Sequence, residues 1–241
     1  MSLSVAPIQI PDSHVSSLIS PEKLKQLYNL MIQLRGHKLK LNKARTAGQG
    51  DIFSGACEVA SIIDLQGGDV VMTLPGQKIA LVSRNASADT CTVVENGSKD
   101  RLAIAAGLAL GHRIQRTNKI VIVFAAPGDI AHASDSVRLA QEQELAIIYL
   151  EQTDATVRKS KPTVHQLPTL PVDDSDAVAA YRVTYESIDK ARRGAGPTLI
   201  QCMRHQSVST KRRTNDERAD PIVYMEHYLR KRNLWNDELR S

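Results

Sequence analysis

Residues 119–154 read KIVIVFAAPGDIAHASDSVRLAQEQELAIIYLEQTD, and this stretch decides the fold. Ile120 to Ala125 is an uncharged, mostly β-branched run of strand length, apolar at every position, as in a strand covered on both faces. Ala126-Pro127-Gly128-Asp129 interrupts it. From 131 to 144 the spacing predicts a helix: Ala133, Val137 and Ala140 recur on one side, while Asp135, Arg138, Gln141, Glu142 and Glu144 lie off that stripe. Leu145 to Leu150 is a second apolar run. Strand, loop, helix and strand form a βαβ unit, the building block of parallel sheets. The expected fold class is therefore α/β, a mainly parallel sheet flanked by helices and including Ile120–Ala125, Ile147–Leu150 and Thr198–Met203. In such sheets ligands bind outside the carboxyl ends of the strands. Those ends are Ala125 to Asp129 and Glu151 to Asp154.

Working outward, residues 1–20 read as a flexible arm with Pro7 and Pro11, followed by one domain over 21–241. Ser20-Pro21-Glu22 has the chemistry of a helix start, a capping hydroxyl, a proline in the first turn and an acid at the positive end of the dipole. Leu24, Leu27, Tyr28, Met31 and Leu34 then share one face. A second helix is expected over 51–64, a short strand over 69–73, a short helix over 77–84 and a short strand over 90–94. The next helix, 100–116, carries Ala103, Ala106, Gly107, Ala109 and Gly111. Glycine in a soluble helix costs about 1 kcal/mol relative to alanine, so Gly107 and Gly111 on one face point to a close-packed backbone, of this chain or of another subunit. The passage Ala155–Asp174 reads as a long loop, functional or partner-facing. A helix over 177–193, a strand over 198–203 and a helix from Asp220-Pro221 complete the chain. Asp173, Asp174 and Asp176 form an acidic cluster, best read as caps for the helix that follows.

The 241 residues suffice for one large core, which Leu, Ile, Val and Ala must fill because aromatics make up only 4%. No apolar run approaches the roughly 20 residues of a membrane helix. The N-terminus lacks the pattern of a signal peptide or presequence, and a cytoplasmic protein is expected. Cys57, Cys91 and Cys202 have no metal-ligand spacing and read as reduced packing residues. The net charge of +5 comes from basic clusters at 38–45, 158–161 and 211–213 without interleaved aromatics. They are expected to be solvated faces rather than a nucleic-acid surface.

Five segments, taken in order, carry a resemblance: LYNLMIQLRGHKLKL (27–41), RLAIAAGLALGHRIQRTNKIVIVF (101–124), VDDSDAVAAYRVTYESIDKARRG (172–194), GAGPTLIQCMR (194–204) and ADPIVYMEHYLRKRNLWNDEL (219–239). Together they resemble the α subunit of the E1 component of thiamine-diphosphate-dependent 2-oxo acid dehydrogenases, of the pyruvate and branched-chain type. The resemblance implies oxidative decarboxylation of a 2-oxo acid with acyl transfer to a lipoyl group. It also implies thiamine diphosphate and Mg²⁺ as cofactors, and a β subunit or a second copy as partner.

The family's cofactor motif is GDG followed about two dozen residues later by NN, whose Asp and second Asn bind the metal. Here GDG falls on Ala126-Pro127-Gly128 and NN on Thr153-Asp154. Proline has no side-chain ligand. By resemblance the cofactor-binding candidates are thus Gly128, Asp129, Thr153 and Asp154, with Asp154 and Asp129 as metal ligands. The family's Tyr-Arg and His fall on Leu74-Pro75 and near Gln77. Its glycine-rich segment is shortened to residues 83–100. Its catalytic loop falls on His205-Gln206-Ser207, which makes His205 a catalytic candidate; His132, in the first turn of the helix after Asp129, is a second candidate from its own position. Metal, diphosphate and proton-transfer groups work as a unit. Departures at four separated motifs lead to the expectation of an E1-alpha-like chain that is non-catalytic or weakly active. The alternative is an active subunit completed by a β subunit.

Overall fold

The computed structural model describes residues 19–42, 55–75, 77, 79, 91–97, 100–154, 167–204, 220–236 and 239. Six strands form one sheet in the order β2-β1-β3-β4-β6-β5, parallel at every pairing. They are β1 (Val70–Thr73), β2 (Thr92–Glu95), β3 (Val121–Ala125), β4 (Ile147–Asp154), β5 (Thr169–Asp173) and β6 (Thr198–Arg204). The helices are α1 (Pro21–Asn42), α2 (Ala56–Ile62), α3 (Arg101–Ile114), α4 (Asp129–His132), α5 (Ser134–Glu142), α6 (Ala177–Arg192) and α7 (Pro221–Lys231). The expected α/β class and its three central strands are what the structure contains.

Alternation along the strands sorts side chains into two apolar layers. Val71, Ile122, Phe124, Ile148, Leu150, Ile200 and Cys202 pack against α1, α2, α6 and α7. Val70, Met72, Val121, Val123, Ala125, Ile147, Tyr149 and Leu199 pack against α3, α4 and α5. Residues on both faces of β3 are fully buried, which is why that strand is apolar throughout. The α1 stripe Leu24, Leu27, Tyr28, Met31 and Leu34 is buried as its spacing requires. Ser20 caps α1 by accepting the Lys23 amide at 3.2 Å. Asp176 caps α6 through the Val178 and Ala179 amides, and Asp220 caps α7 through the Ile222 amide. Asp174 is buried and accepts the Cys57 amide at 3.3 Å, so the acidic cluster serves the fold.

Three expectations are corrected. The helix predicted over 131–144 is two helices, because the backbone leaves helical geometry at Ala133 (φ −97°, ψ 32°). Apolar spacing is the same either side of such a break, so the pattern alone does not reveal it. The passage read as a loop up to Asp174 contains β5. Pro171 lies in that strand, and a proline is tolerated because β5 is at the sheet edge and pairs with β6 only. Ile19, assigned to the arm, is buried in the core. Residues 1–18 of the arm, most of the predicted 77–84 helix, residues 51–54 and residues 155–166 lie outside the described residues. Among the described residues no helix is long and apolar enough to cross a membrane.

The face of α3 carrying Gly107 and Gly111 is bare. A Cβ built on either glycine meets nothing within 4 Å. Ile104 and Leu108 on the same side are 43% and 39% exposed. The alternative of a packing partner within the chain is therefore not realised among the described residues.

Candidate functional site

At the carboxyl end of β3 the chain turns through Ala126-Pro127-Gly128 into α4. Gly128 has φ +89°, the left-handed region that glycine enters without strain. The resulting tight turn spends its own amides. Ala126 N–H donates to Asp129 Oδ2 at 2.9 Å, and Asp129 N–H donates to Ala126 O at 3.0 Å. Pro127 has no N–H to offer. Gly128 N–H donates to Glu151 Oε1 at 3.0 Å. No amide from 126 to 129 is left for a bound anion. His132 places Nδ1 2.7 Å from Gly128 O. A carbonyl only accepts, so that nitrogen carries the proton, and His132 closes the turn from the exposed side.

Glu151 reaches the turn because register puts it level with Ala125 on the neighbouring strand. It is almost fully buried. Burial pushes its carboxyl above the ordinary glutamate value; the Gly128 amide works against that and the nearby Asp129 charge adds to it. A second buried charge comes from the other side. Arg101, the first residue of α3, sends Nη2 to Asp129 Oδ2 at 2.5 Å, Nε to Phe124 O at 3.0 Å and Nη1 to Asn96 O at 3.0 Å.

The rest of the rim is also tied to itself. Leu74 N–H donates to Gln77 Oε1 at 2.7 Å, and Gln77 Nε2 donates to the buried Glu58 at 3.3 Å. Thr153 is half-buried on β4, level with Met203 of β6. Asp154 ends that strand beside Arg204; its side chain and all of His205 lie outside the described residues. Gln152 Nε2 is buried without a hydrogen-bond partner among the described residues. Among those residues no three His, Cys, Asp or Glu side chains are grouped as a metal ion would need.

No family model matches the chain. The pyruvate dehydrogenase E1 component subunit alpha of Staphylococcus aureus (strain COL) is 27% identical over 162 residues, 56% of this chain and 44% of that one. The same subunit of Acholeplasma laidlawii is 26% identical over 163 residues, 56% of this chain and 47% of that one. Over about half its length this chain is similar in sequence to curated E1 alpha subunits. It spans about half the length of the relatives it matches. Among solved structures, benzoylformate decarboxylase from Polynucleobacter necessarius overlays 66% of the chain and 35% of its own length, with 14% identity and a TM-score of 0.45.

In this chain, Gly128, Asp129 and His132 share the β3–α4 turn, as their closeness in sequence implies. Thr153 and Asp154 belong to the next strand but lie beyond the residue that meets the turn. That residue is Glu151, which the sequence reading included in the strand end without singling it out; Arg101 it passed over. Two signals for them existed. Glu151 is the first charge after an apolar run whose start pairs with the start of β3. Arg101 puts a cation in the first turn of a helix, where the dipole disfavours it.

Proposed function

We propose that this chain is a non-catalytic relative of the E1 alpha subunit, keeping the α/β sheet and a partner-binding face but not holding magnesium and thiamine diphosphate. The observation that carries the proposal is the closed turn after β3. A diphosphate needs donors and counter-charge. Here Ala126 and Gly128 donate inward, Pro127 cannot donate, and Glu151 brings a carboxyl under the turn. The Asp129 carboxylate is already paired with Arg101. Gln77, near the family's histidine position, spends both ends of its amide on Leu74 and Glu58.

The partner in this reading is a second copy or an E1-beta-like subunit. It docks on the α3 face of Ile104, Gly107, Leu108 and Gly111, which nothing in the described chain covers. Bare glycines allow another helix to approach closely, and two exposed apolar side chains supply the area.

The second reading is an active dehydrogenase subunit, favoured by the names of the relatives it matches. In that case the turn opens and magnesium and thiamine diphosphate bind beside Asp129 and Asp154, with a β subunit completing the site. Calorimetric titration of thiamine diphosphate with Mg²⁺ into the full chain separates the two. No heat of binding is expected, whereas sub-micromolar binding restores the enzyme. Should the non-catalytic reading hold, Pro127→Asp alone is not expected to recover binding, because the Gly128 and Ala126 amides stay engaged.

A further inference from the structure

We infer that the Arg101 guanidinium is the resident cation of the β3–α4 turn, doing for the three chain segments that meet there what a bound divalent ion would otherwise do. The inference rests on the reading just proposed and gives it a cause.

The placement of Arg101 is costly on two counts. Its side chain is only 5% exposed, and it opens a 14-residue helix at the positive end of the dipole. An arginine persists in such a place only where its planar fork is well matched with acceptors. The acceptors here are all oxygens, and they come from three separate segments. Asn96 O lies just past β2, Phe124 O belongs to the next-to-last residue of β3, and Asp129 Oδ2 is at the start of α4. Two carbonyls and a carboxylate are hard-ligand chemistry, the kind that Mg²⁺ and Ca²⁺ take.

Remove the guanidinium and these oxygens converge with no positive charge among them. Asp129 would then face the buried Glu151 carboxyl, whose titration already registers the Asp129 charge. A lysine would supply the charge but not the fork, because its ammonium is a single point on a flexible stem. Two consequences follow for the molecule. The turn closes as the chain folds, with no ion required. Metal binding at Asp129 is blocked by competition from a permanent intramolecular cation, which dilution and chelators cannot remove.

The test is thermal unfolding of the full chain as wild type, Arg101→Met and Arg101→Met/Asp129→Asn. Each is run in EDTA and in a millimolar series of Mg²⁺ and of Ca²⁺. The wild-type Tm is expected to be the same in all conditions. Arg101→Met is expected to unfold roughly 10 °C lower in EDTA and to recover part of that loss as divalent ion is added. The double variant, with no carboxylate to neutralise, is expected to be insensitive to either ion. A purely structural arginine would lower Tm without creating a divalent-ion response, so an ion-insensitive Arg101→Met overturns the inference, as does one with an unchanged Tm.

If Arg101→Met does not fold, Arg101→Lys carries the question. Keeping the charge, it is expected to fold below the wild-type Tm and to ignore both ions; an ion response from it overturns the inference. Thiamine diphosphate with Mg²⁺ is titrated into the wild type alongside. Binding there sinks the non-catalytic reading. No binding, with an ion-insensitive Arg101→Met, sinks this inference alone.

Discussion

Arg192 holds both carboxylate oxygens of Asp69, at 3.1 and 2.5 Å, across the amino end of the sheet. Asp69 is completely buried and also accepts the Ile120 and Gln66 amides. One side chain therefore ties the end of α6 to the starts of β1 and β3. Arg192→Met leaves that carboxylate without its counter-charge, and a buried pair broken on one side loses about 3–5 kcal/mol. Urea unfolding should show this loss. A change under 1 kcal/mol would mean that the two amides alone neutralise Asp69.

Glu151 gives a pH signature. Its folded value is raised by burial, so the folded state holds the proton at pH values where the unfolded chain has released it. The contribution is most favourable at and below the ordinary glutamate value. It declines as pH rises through the raised folded value and stays low above it. Glu151→Gln keeps an oxygen for the Gly128 amide but cannot ionise. The variant's Tm minus the wild type's should therefore be greatest at pH 7–8 and shrink steadily toward pH 4. A difference independent of pH would show that Glu151 does not titrate with folding.

Asp220 behaves in the opposite sense. Burial alone would raise its carboxyl, but the Arg35 guanidinium at 2.6 and 2.9 Å and the Ile222 and Val223 amides outweigh it and hold it below the usual aspartate range. Its contribution is present above the unfolded aspartate value and is lost as pH falls through the depressed folded value. Asp220→Ala removes both the cap of α7 and the tie to α1, and should cost about 1–2 kcal/mol at pH 7. Asp220→Asn, which can still cap, should cost less. Chemical denaturation of the pair at pH 7 and again near pH 3 checks both the order and its narrowing in acid.

The α3 face gives a test of assembly. Ile104→Glu with Leu108→Glu puts two charges where a partner helix would lie, at positions already solvated in the single chain. Light scattering should show the 26.5 kDa chain as an oligomer in the wild type and a monomer in the double variant, with Tm changed little. A monomeric wild type at micromolar concentration removes the second copy as occupant and leaves a different subunit.

Much of this was legible because it depends on local pattern. Runs of apolar residues between polar helices announced β3, β4 and β6, and Ser20, Asp176 and Asp220 announced their helices by cap chemistry. The bare Gly107–Gly111 face was visible as a packing problem, though not which body solves it. What stayed hidden depends on tertiary approach. Pro171 disguised β5, since only the sheet order reveals that the strand sits at an edge. Arg101 and Asp129 lie 28 residues apart, and Glu151 and Gly128 lie 23 apart. Arg101, Asp129 and Glu151 are ordinary charged residues until strand register and helix placement bring them to their partners.

The strand order has a consequence for how the chain comes to be made. β6 is inserted between β4 and β5, so neither neighbour has a hydrogen-bonding partner on that side until β6 has been synthesised. At ribosomal speeds of about 5–20 residues per second, the 50 positions separating Asp154 from Arg204 take on the order of several seconds. Through that interval the eight-residue β4 presents one open ladder, and β5 has nothing to join. An unpaired strand edge of that length is a template for other chains. Nascent chains stalled before Thr198, or protein truncated there, would expose it permanently and so be candidates for chaperone capture and self-association.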